Sequence, residues 1–172
     1  MSFLELAKKR YSARNYQKKP VEPEKLRLIL EAGRVAPTAC NNQPQRVLVV
    51  QSPEGLAKLA KGYRSFNAPL ALIVCADHEK SWKRAYDGKD SADIDASIIT
   101  DHMMLCAAEQ GLDSVWVCAF NPAVIRQEFN IPDNIEPVNI LLVGYAACEP
   151  ASPERHDQLR VPLSVTVFDE SF

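Results

Sequence analysis

The pattern of apolar and polar positions divides the chain into short helical and extended stretches, with no linker that would separate two domains. Phe3 to Lys9 reads as a short helix, and Arg10-Tyr11-Ser12-Ala13-Arg14-Asn15-Tyr16 alternates like an extended segment. Behind Pro23, Leu26, Ile29, Leu30 and Val35 fall near a 3.6-residue period, which predicts a surface helix over Pro23 to Arg34, ended by Pro37. Arg46 to Gln51 is a compact β-branched run, Pro53 to Lys61 a small helix, and Pro69 to Ala76 a continuous apolar strand of the kind buried on both faces. Ser91 to Gln110 is the longest helix candidate. Its Ile94, Ile98, Ile99, Met103, Met104, Leu105 and Cys106 cover more than one face, so it is expected to be central or shared between subunits. Gly111 stops that helix, Ser114 to Ala119 follows as a strand, Asn121-Pro122 opens a short helix to Phe129, and Val138 to Ala146 is the last core strand. Glu149 to Phe172, with three prolines and an apolar end, reads as a tail that crosses a partner subunit. Helices and strands mix without βαβ alternation, so the class is α+β.

A chain of 172 residues that is 47% hydrophobic can bury about two thirds of its unfolded surface, enough for one core and a single domain over 1–172. Twenty Lys and Arg against 22 Asp and Glu leave a net charge of -2, which argues against nucleic acid or an anionic membrane as a partner. The apolar stretches Ala68 to Ala76 and Ile135 to Ala147 are shorter than the roughly 20 residues of a membrane span. Five cysteines, odd in number and without a C-x-x-C pair, lie mostly in apolar runs, and a reduced, cytoplasmic setting is expected. Cys40 is the one that looks exposed, and an inert neighbour of a binding loop is its plainer reading.

Six glycines are scattered singly, so no glycine-rich phosphate loop can be written and a phosphate would have to be held by side chains. In an extended segment Arg10, Ser12 and Arg14 project to one side at about 6 to 7 Å intervals, and two guanidiniums with a hydroxyl can converge on a dianion. Taken alone, the same three residues also make an ordinary basic edge. Ala36-Pro37-Thr38-Ala39-Cys40-Asn41-Asn42-Gln43-Pro44-Gln45 is a neutral loop of hydroxyls and amides stiffened by two prolines. It suits the donor and acceptor edge of a heteroaromatic ring, or simply satisfies its own backbone. His78, His102 and His156 lie far apart and form no metal or triad motif, and His102 is expected to be structural. Trp82-Lys83-Arg84 is either a solvated loop or a clamp for an aromatic or anionic substrate.

Four segments, taken in order, resemble the nitroreductase family of FMN-dependent oxidoreductases, in its short form. They are Lys9 to Arg14, Ala36 to Gln45, Ala107-Ala108-Glu109-Gln110-Gly111-Leu112-Asp113-Ser114-Val115-Trp116, and Leu142-Val143-Gly144-Tyr145. The likeness runs nearly end to end. It implies a three-layer sandwich with a central mixed, mainly antiparallel sheet flanked by helices, in a homodimer whose two FMN sites are built from both subunits, with NAD(P)H as electron donor. By the same resemblance Arg10, Tyr11, Ser12, Arg14 and Arg160 gather at the flavin phosphate. Pro37, Thr38, Ala39, Asn42 and Gln43 reach the ring from the other subunit. Asn67 meets the pyrimidine edge, and Val117, Cys118 and Ala119 pass the N5 side.

Two features depart from the family. Many relatives carry a basic residue shortly after the Asn67 position, where this chain has Ala68-Pro69-Leu70, leaving Lys61 or Arg64 for that task. Relatives are also often longer between the positions of Cys75 and Ser91, so the site here is expected to be more open, with Trp82 to Tyr86 as its only lid. The implied activity is ping-pong transfer of electrons from NAD(P)H to a nitroaromatic, quinone or similar acceptor. No catalytic side chain and no metal are needed. A flavin-holding or regulatory protein with little turnover, and a specialised flavoenzyme such as a reductive dehalogenase, are the alternatives.

Overall fold

The structure, a computed structural model, describes all residues from Met1 to Phe172. Seven helices surround one four-stranded sheet: α1 (Phe3–Lys9), α2 (Pro23–Val35), β1 (Gln45–Val50), α3 (Pro53–Gly62), β2 (Leu70–Asp77), α4 (Ala92–Glu109), β3 (Asp113–Val117), α5 (Pro122–Phe129), β4 (Ile135–Gly144), α6 (Arg155–Leu159) and α7 (Leu163–Thr166). The strand order is β1-β2-β4-β3. Every pairing in the sheet is antiparallel, so the expected mixed sheet is corrected; the only parallel element is an isolated bridge between Ser12 and Ser114. The sheet is not mixed because β2 and β3, which point the same way and are joined by the crossover helix α4, are not neighbours: β4 lies between them and runs opposite to both.

Two apolar layers explain the sandwich. Leu70, Leu72 and Val74 of β2 and Leu141 and Val143 of β4 face Ile29 of α2 and Ala96, Ile99 and Met103 of α4. The alternate residues, Ala71, Ile73 and Cys75 of β2 and Ile140 and Leu142 of β4, face Leu59 of α3 and Ile125 of α5. Strand β2 is therefore buried along its whole length, as its unbroken apolar run predicts. Pro137, which has no N–H to give to the ladder, is accommodated where the β2–β4 register shifts between Val74 and Cys75 and a residue of β4 is passed over.

Several ends were legible from local chemistry. Asn121 caps α5 through its side chain, accepting from the Val124 N–H at 3.2 Å, with Pro122 in the first turn. Gly111, at φ 73°, follows α4 in the left-handed conformation that stops a helix. Strand β3 ends at Val117, not Ala119. Beyond it the tail is less featureless than its prolines suggest, for it folds the two short helices α6 and α7. Residues 160–172 are nevertheless exposed throughout, and Leu163, Val165, Val167 and Phe168 are each more than half exposed. No helix is long and apolar enough to cross a membrane.

Candidate functional site

The arm that follows α1 is laid down by backbone hydrogen bonds to three separate segments. The Ala13 N–H donates to the Ser114 carbonyl at the start of β3 (3.0 Å), the Tyr16 N–H to that of Phe66 (3.1 Å), and the Gln17 N–H to that of Tyr145 (2.8 Å). Ala13 turns into the core between the exposed Ser12 and Arg14, the alternation expected of an extended segment, but the alternation breaks at the exposed Asn15, after which Tyr16 turns into the core.

The outward side chains line a cleft of about 330 Å³ together with the tail: Arg10, Tyr11, Ser12 and Arg14 on one wall, Ala151, Arg155, His156, Leu159 and Arg160 on the other. Four guanidiniums, an imidazole and a hydroxyl meet there, and no carboxylate lines the cleft. Burial holds the Arg10 guanidinium below its ordinary pKa, the positive Arg155 and Arg160 push it the same way, and only Asp101 opposes them. Like charges gathered at a cost are what a bound anion would relieve, and the donor set fits a phosphate monoester. Five residues singled out in the sequence, Arg10, Tyr11, Ser12, Arg14 and Arg160, thus come together.

Arg155 and His156 were missed, and their only signal was a basic pair in the tail. Arg155 does more than add charge. Its guanidinium donates to the carbonyls of Arg10 (2.5 Å), Ser152 (2.7 Å) and Lys8 (3.1 Å), tying arm to tail. The neighbouring Tyr11 hydroxyl is held well above its ordinary pKa by burial first and then by Asp113 and Cys148.

Strand β3 runs away from this cleft, so Cys118, four residues beyond Ser114, lies about 13 Å along the strand direction. Cys118 and Ala119 are exposed just past the strand end, and Val117 is buried. Cys118 and Cys148 are therefore open to solvent along with Cys40, which corrects the expectation that Cys40 stands alone; both follow the last residues of strands, where the apolar run had suggested burial. Asn67 is exposed in the left-handed conformation (φ 64°) directly after Phe66, whose carbonyl holds the arm at Tyr16. Of the two cations left for its neighbourhood, Lys61 is spent on Glu128 (2.8 Å to each carboxylate oxygen), whereas Arg64 stacks on the Phe66 ring at 4.6 Å.

The loop carrying Pro37, Thr38, Ala39, Asn42 and Gln43 is placed elsewhere. Its backbone is unusual: Cys40, Asn41 and Gln43 all have positive φ, between 50° and 54°. The Ala39 N–H donates to the buried Asp95 carboxylate at the start of α4 (2.8 Å), whereas Ala108, near the other end of α4, lines a pocket with Arg10. Thirteen residues of helix, about 20 Å, separate these two points. His102 donates through Nδ1–H to the Ile98 carbonyl (2.9 Å), a structural contact, and Arg84 is paired with Asp87 (2.7 Å) within its own loop.

The nitroreductase family model matches residues 7–66 and 60–145. Among solved structures, a nitroreductase family protein of Clostridium difficile 630 is 58% identical, with all of both chains covered and a TM-score of 0.98. An FMN-dependent nitroreductase of Clostridium difficile R20291 is 30% identical over 98% of this chain and 99% of that one, with a TM-score of 0.84. An FMN reductase (NAD(P)H) of Bacillus subtilis is 29% identical over 92% of this chain and 72% of its own. The arm, the helix-to-strand passage at Gly111 and the Gly144 end of β4 all lie inside the matched stretches, and on that match the chain belongs to the nitroreductase family.

Proposed function

We propose that the protein is an NAD(P)H-dependent oxidoreductase that binds FMN in two sites of a homodimer and passes electrons to a small organic acceptor. The observation that carries this reading is the cleft of four arginines with no acidic side chain, at the end of an extended arm in a nitroreductase-family chain. When bound, the flavin supplies two-electron chemistry, accepting hydride from a reduced nicotinamide and giving electrons to a nitroaromatic, quinone or similar acceptor after the nicotinamide has left.

The chain's own residues have holding and orienting roles. Arg10, Arg14 and Arg160 neutralise the phosphate while the Ser12 hydroxyl donates to it, and Arg155 keeps the Arg10 backbone in place. Asn67 meets the pyrimidine edge, with Arg64 beside it as the cation that offsets negative charge there. Val117, Cys118 and Ala119 bound the ring along the end of β3. The separation of about 20 Å along α4 between the Pro37 to Gln43 loop and the Arg10 cleft supports assigning that loop to the other subunit's ring. Two further observations support the dimer. Phe3, Leu6, Ala32, His102, Leu105 and Cys106 line a largely apolar groove between α1, α2 and α4, and the tail after residue 149 carries apolar side chains with no seat in its own chain.

Two spectra test the reading. Purified protein titrated with FMN should show the visible bands of a bound flavin, and anaerobic NADH or NADPH should bleach them. Absence of binding removes the reading. Binding without bleaching replaces it with a flavin-holding protein of little turnover.

A further inference from the structure

We infer that Asp95 is a positioning residue for the ring-facing loop, a role that rests on the flavin reading above. Asp95 is 1% exposed. A buried carboxylate is costly unless both oxygens are engaged, and here they are: Oδ1 accepts the Ala39 N–H at 2.8 Å and Oδ2 accepts the Ser91 hydroxyl at 2.9 Å. An apolar residue would pack at this position with less to satisfy. What the carboxylate adds is an acceptor that reaches a loop 56 residues earlier in the chain.

The loop needs such an anchor. Its internal bonds, Asn41 N–H to the Thr38 carbonyl (3.0 Å), Asn42 N–H to that of Ala39 (3.1 Å) and Gln43 N–H to the Thr38 hydroxyl (3.1 Å), define its shape but not its place on the body. Three non-glycine residues in the left-handed region are disfavoured and persist only where surroundings hold them. At the far end, Arg46 donates to the Gln45 carbonyl at 2.7 Å but to that of Gln43 only at 3.4 Å, and its side chain is 41% exposed. The loop's far end is also held by the backbone, where the Asp77 N–H donates to the Pro44 carbonyl at 2.8 Å. The Asp95 contact is thus the tie at its start, a short bond to a buried side chain that sets where Thr38 and Ala39, and through the internal bonds Asn42 and Gln43, present their polar groups.

The test compares Asp95→Ala with Asp95→Asn by FMN titration and by hydrogen exchange of the loop amides in the flavin-free protein. Asparagine keeps an oxygen for the Ala39 N–H and can donate to the Ser91 hydroxyl; alanine keeps neither. Asp95→Ala should bind FMN at least about tenfold more weakly and exchange faster across residues 39–43, while inorganic phosphate still raises its melting temperature as in the parent protein. Asp95→Asn should return affinity and exchange close to the parent values. Unchanged FMN affinity and exchange in Asp95→Ala, or equal damage in both variants, would overturn the assignment, the latter because only a charge effect or general unfolding treats the two alike. If alanine prevents folding, Asp95→Asn against Ser91→Ala decides by the same readouts, with Ser91→Ala faster in loop exchange. A parent protein that fails to bind FMN refutes the flavin reading itself, and loop exchange then still reports on the anchor.

Discussion

The guanidinium of Arg155 donates to the backbone carbonyl of Arg10 at 2.5 Å, although the two side chains carry the same charge and face the same cleft. The contact spans 145 residues and makes the cationic wall a joint product of the amino-terminal arm and the carboxy-terminal tail. Arg155→Ala should leave the Lys8, Arg10 and Ser152 carbonyls without that donor and cost about 1 to 3 kcal/mol, read by denaturant unfolding. Limited proteolysis should cut the tail sooner. Wild-type stability with an intact tail would show that the staple is dispensable.

Arg10→Ala removes a charge-assisted donor to the phosphate and should weaken FMN by about 1.5 to 3 kcal/mol, some ten- to a hundredfold, measured by flavin fluorescence titration. The fold should tolerate the change, since the parent side chain is held there against the repulsion of Arg155 and Arg160. Undiminished affinity would move the phosphate away from the arm.

Val165 and Phe168 are more than half exposed within one chain, so aspartate at either position should shift stability by no more than about 0.5 kcal/mol if the protein works as a monomer. In the shared-site dimer the same substitutions place a charge in an apolar contact. Sedimentation at micromolar concentration should then show dissociation, accompanied by loss of flavin.

His78 is held between Asp90 (2.9 Å to Nδ1) and Glu136 (2.5 Å to Nε2), joining the segment before α4 to the start of β4. The hydrogen bond to Asp90, then that to Glu136, raises its pKa above the ordinary 6.5, while burial opposes. A raised folded-state value means that the charged form stabilises the fold. The contribution is full below pH 6.5 and is lost as pH rises through the raised value. Asp90 is held down at about 2: burial pushes it up, but hydrogen bonds from Ser81, His78 and the Ala92 N–H prevail, so its share persists until pH falls toward that value. The melting temperature of His78→Ala should trail the parent most near pH 5 to 6 and converge with it in alkaline buffer. A difference that grows with pH would reverse the assigned charge state.

A methyl group added at Gly144 would lie 2.6 Å from Pro69 Cδ and 3.0 Å from Tyr16 Cδ1. Gly144→Ala should therefore destabilise by about 1 to 3 kcal/mol, because the proline ring cannot move aside, so the end of β4 must shift and press on Tyr16 of the arm. Thermal unfolding reads the loss, and weaker FMN binding should accompany it through the displaced Tyr16.

Much of this molecule is written locally. The apolar run of β2, the Asn121-Pro122 start of α5, the Gly111 stop and the alternation from Ser12 to Arg14 depend on side-chain size, capping and period, which neighbours in sequence determine by themselves. The family likeness likewise rests on ordered short segments. What local chemistry could not show is who meets whom. Nothing around Arg155 announces that it grips the Arg10 carbonyl, nothing around Asp95 that it holds Ala39, and Lys61 and Arg64 look equivalent until Glu128 takes one and the Phe66 ring the other. Those choices are made by long-range packing. A buried carboxylate or a crowded guanidinium gains its role only when folding brings its partner within about 3 Å and excludes the water that would otherwise serve equally well.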